Sequence, residues 1–232
     1  MTSVVRFALI VVLAAAFGCG DGTPEEKKKS TGEGKTPPAA AKIDTPAKPA
    51  EPEKPDTGKK PDDDDPAPRV EMKTSMGTIL LELNRTRAPI TVENFLRYVK
   101  DRHYDNTIFH RVMKTFMIQG GGFSVDKRKK SVAFAPIKNE SPDGLSNQKY
   151  TIAMARTGDP DSATAQFYIN VVENGYRLDY PNSGGHGYAV FGKVVKGEDV
   201  VDRIKDVRIL DQGGAFRNCP EKNVVIETVR RL

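Results

Sequence analysis

The prolines of this chain are concentrated in one segment, and that segment limits where a folded core can form. Residues 20–68 contain 10 of the 16 prolines, no aromatic residue, and Ile43 as their only large aliphatic side chain. A segment with so little apolar surface cannot bury enough of it to offset the entropy cost of ordering the chain. Its repeated Pro-rich text favours extended, polyproline-like backbone. We therefore predict a disordered, partly stiff tether over residues 19–68 and one folded domain over residues 69–232, a usual size for a single domain.

The first 18 residues have the pattern of a secretion signal. Arg6 supplies a positive charge, and the apolar run FALIVVLAAAF that follows is too short to span a bilayer. The run ends in AFGCG, which resembles the bacterial lipoprotein box, in which a Cys becomes the lipidated first residue of the mature chain. The sequence thus predicts a signal peptide over residues 1–18, lipidation of Cys19, and a membrane-anchored protein that faces the periplasm or the cell exterior. The alternative is an ordinary signal sequence with an incidental Cys.

The charge distribution separates the two parts of the chain and bears on possible partners. The tether has 9 Lys against 12 Asp or Glu, a net charge of −3, whereas the domain has 26 Lys or Arg against 19 acids, a net charge of +7. The densest basic run, DKRKK at residues 126–130, has no interleaved aromatic residue and no helix-turn-helix or zinc-finger spacing around it. We interpret it as a solvated basic loop and predict no nucleic-acid partner.

Hydrophobic periodicity predicts a mainly β domain. The runs VEMKTS and TILLEL are expected to form a hairpin in which Gly77 takes a positive φ. Apolar residues recur with helical spacing in TVENFLRYVKD, which Thr91 is placed to cap, and EDVVDRI predicts a second helix. Six further β-rich runs are TIFHRV, FMIQG, YTIAMA, QFYINVV, YAVFGKVV and VVIETV. Eight short strands and two helices predict a closed β-barrel, because closure removes exposed strand edges.

Motifs for covalent, metal and phosphoryl-transfer chemistry are missing from the sequence. The three His residues lie apart without zinc-ligand spacing, and the DDDD run at residues 62–65 lacks the turn glycine of a hard-cation loop. The glycines at residues 120–122 are not followed by the G-K-[ST] of a phosphate cradle. With Cys19 lipidated, Cys219 would have no disulfide partner in the domain. We therefore predict no metal, no cofactor and no internal disulfide.

Three segments together resemble the cyclophilin family of peptidyl-prolyl cis/trans isomerases. They are FHRVMKTFMIQGGG, MARTGDPDSATAQFYIN and YAVFGKVVKGEDVVDRI, which occur in the family's order and spacing. The similarity runs from about Val70 to Val229 and has bacterial features. It implies an eight-stranded antiparallel barrel with a helix at each end, a substrate groove on the outer surface, and an enzyme that accelerates rotation about X-Pro peptide bonds without a cofactor.

The resemblance gives Arg111 the catalytic role. The peptide C–N bond resists rotation by about 18–20 kcal/mol because the nitrogen lone pair is delocalised into the carbonyl. A donor aimed at the proline nitrogen is better satisfied when the bond is twisted than when it is planar, so it stabilises the transition state. An Arg set among apolar residues is also poor core material, which agrees with a functional role.

The resemblance also implies the substrate-binding residues. The aromatic and aliphatic ones would form an apolar slot for the proline ring, a Gln beside them would support the catalytic Arg, and one strand would pair its backbone with the substrate. These residues are Phe116, Met117, Gln119, Ala155, Arg156, Gln166, Tyr168, Leu178 and Tyr188. For the apolar members, the alternative interpretation is that they belong to the core of the barrel.

The chain departs from the eukaryotic pattern of the family at the groove. It contains no Trp, Tyr168 stands where Phe is usual, and Tyr188 stands where His is usual. An extra residue in GYRLDY leaves open whether Tyr176 or Arg177 takes the place of the missing Trp.

Two functions from different classes remain open on the sequence alone. The first is a monomeric, membrane-tethered isomerase that acts on proline-containing segments of unfolded or exported proteins and assists their folding. The second is a non-catalytic proline-peptide-binding or chaperone module that uses the same groove. The intact set of Arg111, Phe116, Met117 and Gln119 favours the enzyme.

Overall fold

A computed structural model describes residues 65–232 of the chain. The predicted signal segment, Cys19 and the tether before Asp65 lie outside the described residues. The strands are β1 (Arg69–Thr74), β2 (Gly77–Leu83), β3 (Thr107–Ile108), β4 (Arg111–Val112), β5 (Met117–Gly120), β6 (Thr151–Met154), β7 (Phe167–Asn170), β8 (Val190–Lys196), β9 (Ile209–Leu210), β10 (Cys219–Pro220) and β11 (Val225–Arg231). The helices are α1 (Pro89–Lys100), α2 (Gly175–Leu178), α3 (Asn182–Gly185) and α4 (Glu198–Lys205).

The main sheet is antiparallel and contains nine strands in the spatial order β3-β11-β1-β2-β8-β6-β7-β5-β4. The predicted count of eight is therefore wrong by one. The run TIFHRV, expected as one strand, is divided into β3, which pairs with β11, and β4, which pairs with β5. A separate two-stranded sheet of β9 and β10 was not expected from the sequence.

The main sheet curls so that its two ends approach one another. β3 and β4 stand at opposite ends of the strand order, yet only Phe109 and His110 separate them along the chain. In the described part of the chain these two end strands do not pair with each other. The mainly β, antiparallel character of the prediction is confirmed, whereas closure of the barrel is not.

The predicted hairpin between β1 and β2 is confirmed. Thr74 is opposite Gly77 in the register, and Gly77 has a φ of +132°. A Cβ at this glycine would lie 2.9 Å from Cγ2 of Val200, a residue of α4. The turn therefore needs glycine both for its backbone conformation and for the close approach of the helix.

Both predicted helices are present as α1 and α4, but the predicted cap of α1 is wrong. The helix begins at Pro89, so Thr91 lies within its first turn. The carboxylate of Glu140, distant in sequence, accepts hydrogen bonds from Ile90 N–H at 3.0 Å and from Thr91 N–H at 2.8 Å. A long-range carboxylate thus satisfies the free N–H groups that a local side chain usually caps.

Apolar side chains of α1, α4 and the concave side of the sheet form the main core. Its centre is aromatic, with ring centroids of Phe95 lying 5.0 Å from Tyr104, 5.9 Å from Phe167 and 5.1 Å from Phe191. Such tilted and edge-on pairs add to the free energy gained from apolar burial. Within residues 65–232, no helix combines the length and the apolar character that crossing a bilayer requires.

Candidate active site

Arg111 and Gln119 face each other on the short hairpin of β4 and β5. The register pairs Arg111 with Gln119 and Val112 with Ile118. The turn between the strands is closed by Met113 N–H, which donates to Met117 O at 2.9 Å, and by Phe116 N–H, which donates to Met113 O at 2.9 Å. Cross-strand neighbours on one face of a sheet lie within side-chain reach, so the hairpin sets the Arg beside its Gln.

A chain of hydrogen bonds runs from Arg111 across the sheet. Nη1 of Arg111 donates to Oε1 of Gln119 at 3.4 Å, and Nε2 of Gln119 donates to Oε1 of Gln166 at 2.9 Å. Gly122 leaves the space for this arrangement, since a Cβ there would lie 2.6 Å from the amide carbon of Gln166. Among the described residues, no carboxylate pairs with Arg111, which is half-buried. Its remaining guanidinium donors are therefore available to a ligand.

An apolar cluster separate from the main core lies beside this chain. We call it the proline slot, after the ligand group that the family resemblance implies for it. Its buried members are Met117, Ala153, Tyr168, Leu178 and Val190, and Met113, Phe116, Leu145, Ala155 and Tyr188 pack against them half-buried. These residues form a cluster separate from the main core, in which Met117, Tyr168 and Leu178 are buried and Phe116 is half-buried. The half-buried members of the cluster leave apolar surface that is suited to an apolar ligand group.

The floor of the proline slot is supported by a buried polar network. The hydroxyl of Tyr168 donates to Oδ1 of Asn147 at 2.7 Å, and Nδ2 of Asn147 donates to Oδ1 of Asp179 at 2.9 Å. Burial raises the pKa of Tyr168 well above its ordinary value, so its hydroxyl remains a donor. Nδ2 of Asn174 donates to Phe116 O at 2.8 Å and fixes the turn that carries the Phe ring. The network, which ends on the carboxylate of Asp179, fixes the positions of Tyr168 and of the turn that carries Phe116.

Arg156 has a supporting position in this structure. Nε and Nη2 of Arg156 donate to Gly187 O at 3.0 and 2.8 Å, and the guanidinium lies 4.3 Å from the ring centroid of Tyr188. Arg156 thus holds the loop that carries Tyr188 against the proline slot. Its neighbour Ala155 donates its N–H to Gln166 O at 2.9 Å, so that N–H is already occupied.

The extra residue in GYRLDY is accommodated by the single turn α2. Leu178 N–H donates to Asn174 O at 3.0 Å, and Leu178 points into the proline slot. Tyr176 and Arg177 are both exposed, with the guanidinium 4.9 Å from the Tyr ring centroid. Neither side chain is buried in the slot.

His110, next to the catalytic candidate, is a buried residue that the sequence reasoning did not assign. Its ring packs 4.7 Å from Phe123 and 6.5 Å from Phe216, and its Nδ1 atom has no hydrogen-bond partner in the described part of the protein. Burial, with a smaller effect from the charge of Arg111, lowers the pKa of His110 to about 4. The imidazole is therefore neutral at neutral pH and adds no charge behind Arg111.

The structure brings together every site residue that the resemblance implied in the domain, and it adds others. Sequence reasoning missed Met113, Leu145, Asn147 and Asn174. Met113 lies inside the family-like segment and could have been found there, whereas Asn147 carries no local signal because its side-chain partners are 21 to 41 residues away along the chain. Among residues 65–232 no group of His, Cys, Asp and Glu is arranged to hold a metal ion.

Comparison with known proteins agrees with this geometry. A model of the family described as "Cyclophilin type peptidyl-prolyl cis-trans isomerase/CLD" matches residues 69–231. The chain is 55% identical over 165 residues to a peptidyl-prolyl cis-trans isomerase of Streptomyces antibioticus, a match that covers 70% of this chain and 98% of that protein. It is 48% identical over 162 residues to peptidyl-prolyl cis-trans isomerase B of Escherichia coli, covering 69% of this chain and 97% of that protein.

A solved structure shows the same fold at lower sequence identity. It is the crystal structure of a cyclophilin-type isomerase from Cryptosporidium parvum, which superposes with a TM-score of 0.57 at 23% identity and covers 72% of this chain and 98% of that one. The extent of the family match and the identity to the bacterial relatives assign the chain to the cyclophilin-type peptidyl-prolyl cis-trans isomerase family.

Proposed function

We propose that the described domain catalyses cis/trans isomerisation of X-Pro peptide bonds. The observation that carries the proposal is the position of Arg111, which has no carboxylate partner among residues 65–232 and lies on the same hairpin as the Phe116 and Met117 walls of the proline slot. A proline ring can enter the apolar slot while the guanidinium contacts the peptide bond that precedes this proline. The relatives named above as isomerases support the same reading.

The chemistry needs no nucleophile and no proton transfer. The proline ring occupies the slot, and the guanidinium addresses the carbonyl oxygen and the nitrogen of the bond that rotates. As the bond twists, the lone pair becomes localised on nitrogen and becomes a better acceptor, so the interaction is stronger in the transition state than in either planar ground state. Gln119 keeps the guanidinium oriented, and orientation of this kind lowers the barrier without any change of covalent bonds.

The substrate class follows from the slot. Proline is the residue whose preceding bond populates both isomers, with uncatalysed exchange taking tens of seconds or longer. The apolar walls suit the proline ring and have no charged member. A protein of the same fold has been crystallised in the presence of the dipeptide Ala-Pro, which supports proline-containing peptides as ligands.

The deciding test is two-dimensional NMR exchange spectroscopy on a short X-Pro peptide with catalytic amounts of the chain. We expect cis and trans resonances to exchange at a rate that rises in proportion to enzyme concentration. A module that binds proline peptides without turnover would instead shift or broaden the peptide resonances at stoichiometric concentration and leave the exchange rate unchanged. That second outcome would favour the chaperone alternative.

The physiological setting is a further part of the proposal, supported by residues 1–68 of the sequence. We infer a monomeric isomerase that is exported, lipidated at Cys19 and held at a membrane by the Pro-rich tether, where it assists the folding of exported proteins. A random-coil segment of about 50 residues has a reach of roughly 40 Å, and extended Pro-rich stretches lengthen it. A tether of that length would let the groove approach client chains at some distance from the membrane surface.

A further inference from the structure

A loop near the C-terminal end of the domain, residues 211–218, lies against the strand that carries Arg111. Asn218 O accepts a hydrogen bond from Val112 N–H at 2.8 Å. β4 is the last strand in the order of the main sheet and has β5 on one side only, so the loop occupies its other edge. We call residues 211–218 the edge loop.

Phe216 of the edge loop covers the residue before Arg111. Its ring centroid lies 4.8 Å from that of Phe123 and 6.5 Å from that of His110, and the rings of His110 and Phe123 are 4.7 Å apart. His110 is only 3% exposed, whereas Phe216 is half-buried and forms the outer side of this three-ring cluster. The edge loop thus contacts both chain neighbours of Arg111, one through a ring and the other through a backbone hydrogen bond.

The edge loop is held in shape by hydrogen bonds of its own. Gln212 N–H donates to Phe216 O at 3.1 Å, and Phe216 N–H donates to Gly213 O at 2.9 Å. The side chain of Gln212 accepts a hydrogen bond from Nζ of Lys127 at 2.6 Å. Lys127 belongs to the basic run that the sequence predicted as a solvated loop, so one member of that run fastens the edge loop to the turn after Phe123.

The position of the Arg111 guanidinium depends strongly on the backbone of β4. Among the described residues its side chain makes one hydrogen bond, to Gln119 at 3.4 Å, which is a long contact. A shift of β4 would therefore move the guanidinium relative to a bound substrate, and misplacement by about 1 Å is enough to lower the rate of a catalysed reaction substantially.

The edge loop also keeps the neighbour of Arg111 uncharged. Burial is the main reason that the pKa of His110 is lowered to about 4, and the charge of Arg111 adds to the effect. The repulsion is mutual, so a proton on His110 would push the guanidinium away. Without the Phe216 ring, water would reach the imidazole and the contribution of burial would be lost.

No nearby carboxylate offsets a charge on His110 within residues 65–232. Asp126 accepts from Ser124 Oγ at 2.5 Å and Asp211 accepts from Gly213 N–H at 2.9 Å, so both are engaged in their own segments. The ionisable groups on the elements packed around the imidazole are Arg111 on its own segment, Asp126, Lys127 and Arg128 on the turn after Phe123, Cys219 on β10, and Asp211 and Arg217 on the edge loop.

We propose that Phe216 is a positioning residue for Arg111. It keeps the ring of His110 away from water, while Asn218 of the same loop fixes the edge of β4, so that the guanidinium keeps the orientation that turnover requires. Phe216 is not a member of the proline slot, so substrate binding should depend on it little. The inference rests on the isomerase function proposed above and adds a residue that acts through Arg111 and not on the substrate.

The first test compares Phe216→Ala with Phe216→Tyr in the full chain, by NMR exchange kinetics on a short X-Pro peptide. Phe216→Ala should lower kcat/KM about three- to tenfold at about pH 7.5, while the dissociation constant of the peptide changes less than about twofold. Phe216→Tyr keeps the ring and should restore most of the turnover. If Phe216→Ala does not fold, as judged by circular dichroism, Phe216→Leu takes its place in every comparison.

Phe134→Ala is the matched control. Phe134 is also half-buried, and its ring centroid lies 4.9 Å from that of Tyr98, but it packs on α1 and not beside β4. Phe134→Ala should lower the urea midpoint of unfolding by a comparable amount and leave kcat/KM unchanged.

A pH profile separates positioning from loss of stability. Wild-type kcat/KM should be flat between about pH 5.5 and pH 8, because His110 stays neutral there. In Phe216→Ala the pKa of His110 should return toward its ordinary value of 6.5, so kcat/KM should fall further as the pH decreases through that value. Adding His110→Phe to Phe216→Ala should remove this acid limb.

Two results would overturn the inference while leaving the isomerase function intact. One is wild-type turnover in a folded Phe216→Ala protein, and the other is a loss of turnover with a flat pH profile that Phe134→Ala reproduces. Absence of turnover in the wild type would instead contradict the proposed function. The Nε–H resonance of Arg111 would then still test the positioning, because it should shift in Phe216→Ala and not in Phe134→Ala; an unchanged resonance in both variants would overturn the inference.

Discussion

Arg111 and Gln119 are cross-strand partners whose side chains meet at 3.4 Å, while Gln119 is held more firmly, at 2.9 Å, by Gln166. The longer contact leaves the guanidinium free to strengthen its interaction with a substrate, and the shorter one keeps the supporting amide in place. Under the proposed function, Arg111 acts on the substrate and Gln119 orients Arg111. The two residues should accordingly respond differently to substitution.

Arg111→Ala should lower kcat/KM by about 10² to 10³, the loss typical of one preorganised donor to a transition state. Arg111→Lys should recover little, because an ammonium cannot present a planar fork to two atoms at once. NMR exchange kinetics on an X-Pro peptide measure the effect, and circular dichroism is the folding control. Near-normal turnover in a well-folded Arg111→Ala protein would show that the Arg is structural.

Gln119→Ala should lower kcat/KM by about tenfold, because the guanidinium would lose its orienting contact but not its charge. If Gln119 acts only through Arg111, the double variant should be no slower than Arg111→Ala alone. A double-mutant cycle on kcat/KM measures this coupling. Additive losses would mean that Gln119 contributes to the substrate site independently.

Each side chain in the polar network beneath the proline slot should contribute to the free energy of unfolding according to the number of its hydrogen-bond partners. Tyr168→Phe should cost about 1 kcal/mol of the free energy of unfolding, since Asn147 Oδ1 keeps a bond from Asn170 at 3.2 Å. Asn147→Ala should cost about 2–3 kcal/mol, because Tyr168 and Asp179 both lose a partner. Urea denaturation gives both values. Equal losses in the two variants would contradict the assignment of Asn147 as the centre of the network.

His110 should make the fold sensitive to mild acid. Its pKa of about 4 in the folded state lies below the ordinary value of 6.5, so the unfolded state binds more protons between these values. The free energy of unfolding should therefore fall as pH decreases from about 6.5 to about 4, by at most about 3 kcal/mol, and lose no more from this group below that range.

Urea denaturation at several pH values measures the slope, and His110→Phe, which keeps an aromatic ring but cannot titrate, should flatten it. Some slope should remain, because burial also lowers the pKa of His103. An unchanged slope in His110→Phe would show that other groups cause the acid sensitivity.

The proposed anchor is tested by Cys19→Ser. If Cys19 carries lipid, the substitution should move the protein from the membrane fraction to the soluble fraction while peptide turnover persists, since an acyl chain contributes about 0.8 kcal/mol per buried methylene. Fractionation followed by the exchange assay measures both. Membrane association that is unchanged by Cys19→Ser would exclude a lipid on this residue as the anchor.

Local patterns predicted the elements that depend on local chemistry. The β1–β2 hairpin and both longer helices follow from a positive-φ glycine and from helical spacing of apolar residues, and they are present. The cap of α1 could not be predicted, because Glu140 reaches it from 49 residues away. TIFHRV is divided into β3 and β4 because its two halves pair with different strands, β11 and β5, which no local pattern reports.

The candidate site was predictable where the family-like motif names residues, as with Arg111 and Gln119. The motif could not show how each side chain is used. Arg156 matches a position on the strand that the resemblance pairs with the substrate. Its guanidinium instead donates to Gly187 O and packs on the ring of Tyr188. The role of the buried Asn147 could not be predicted, because its hydrogen bonds join strands and loops that are distant in sequence and meet only in the folded domain.

The first and last strands of the domain lie side by side. Leu232 N–H donates to Arg69 O at 3.0 Å, and Val70 is opposite Arg231 in the register of β1 and β11. A circular permutant that joined residue 232 to residue 69 through a short linker, opened at the exposed Gly213–Gly214 pair, should need no rearrangement of either strand; its thermal unfolding midpoint would report any cost. Because its two ends are adjacent, the domain could be inserted into a loop of a host protein as well as fused to the end of a host protein.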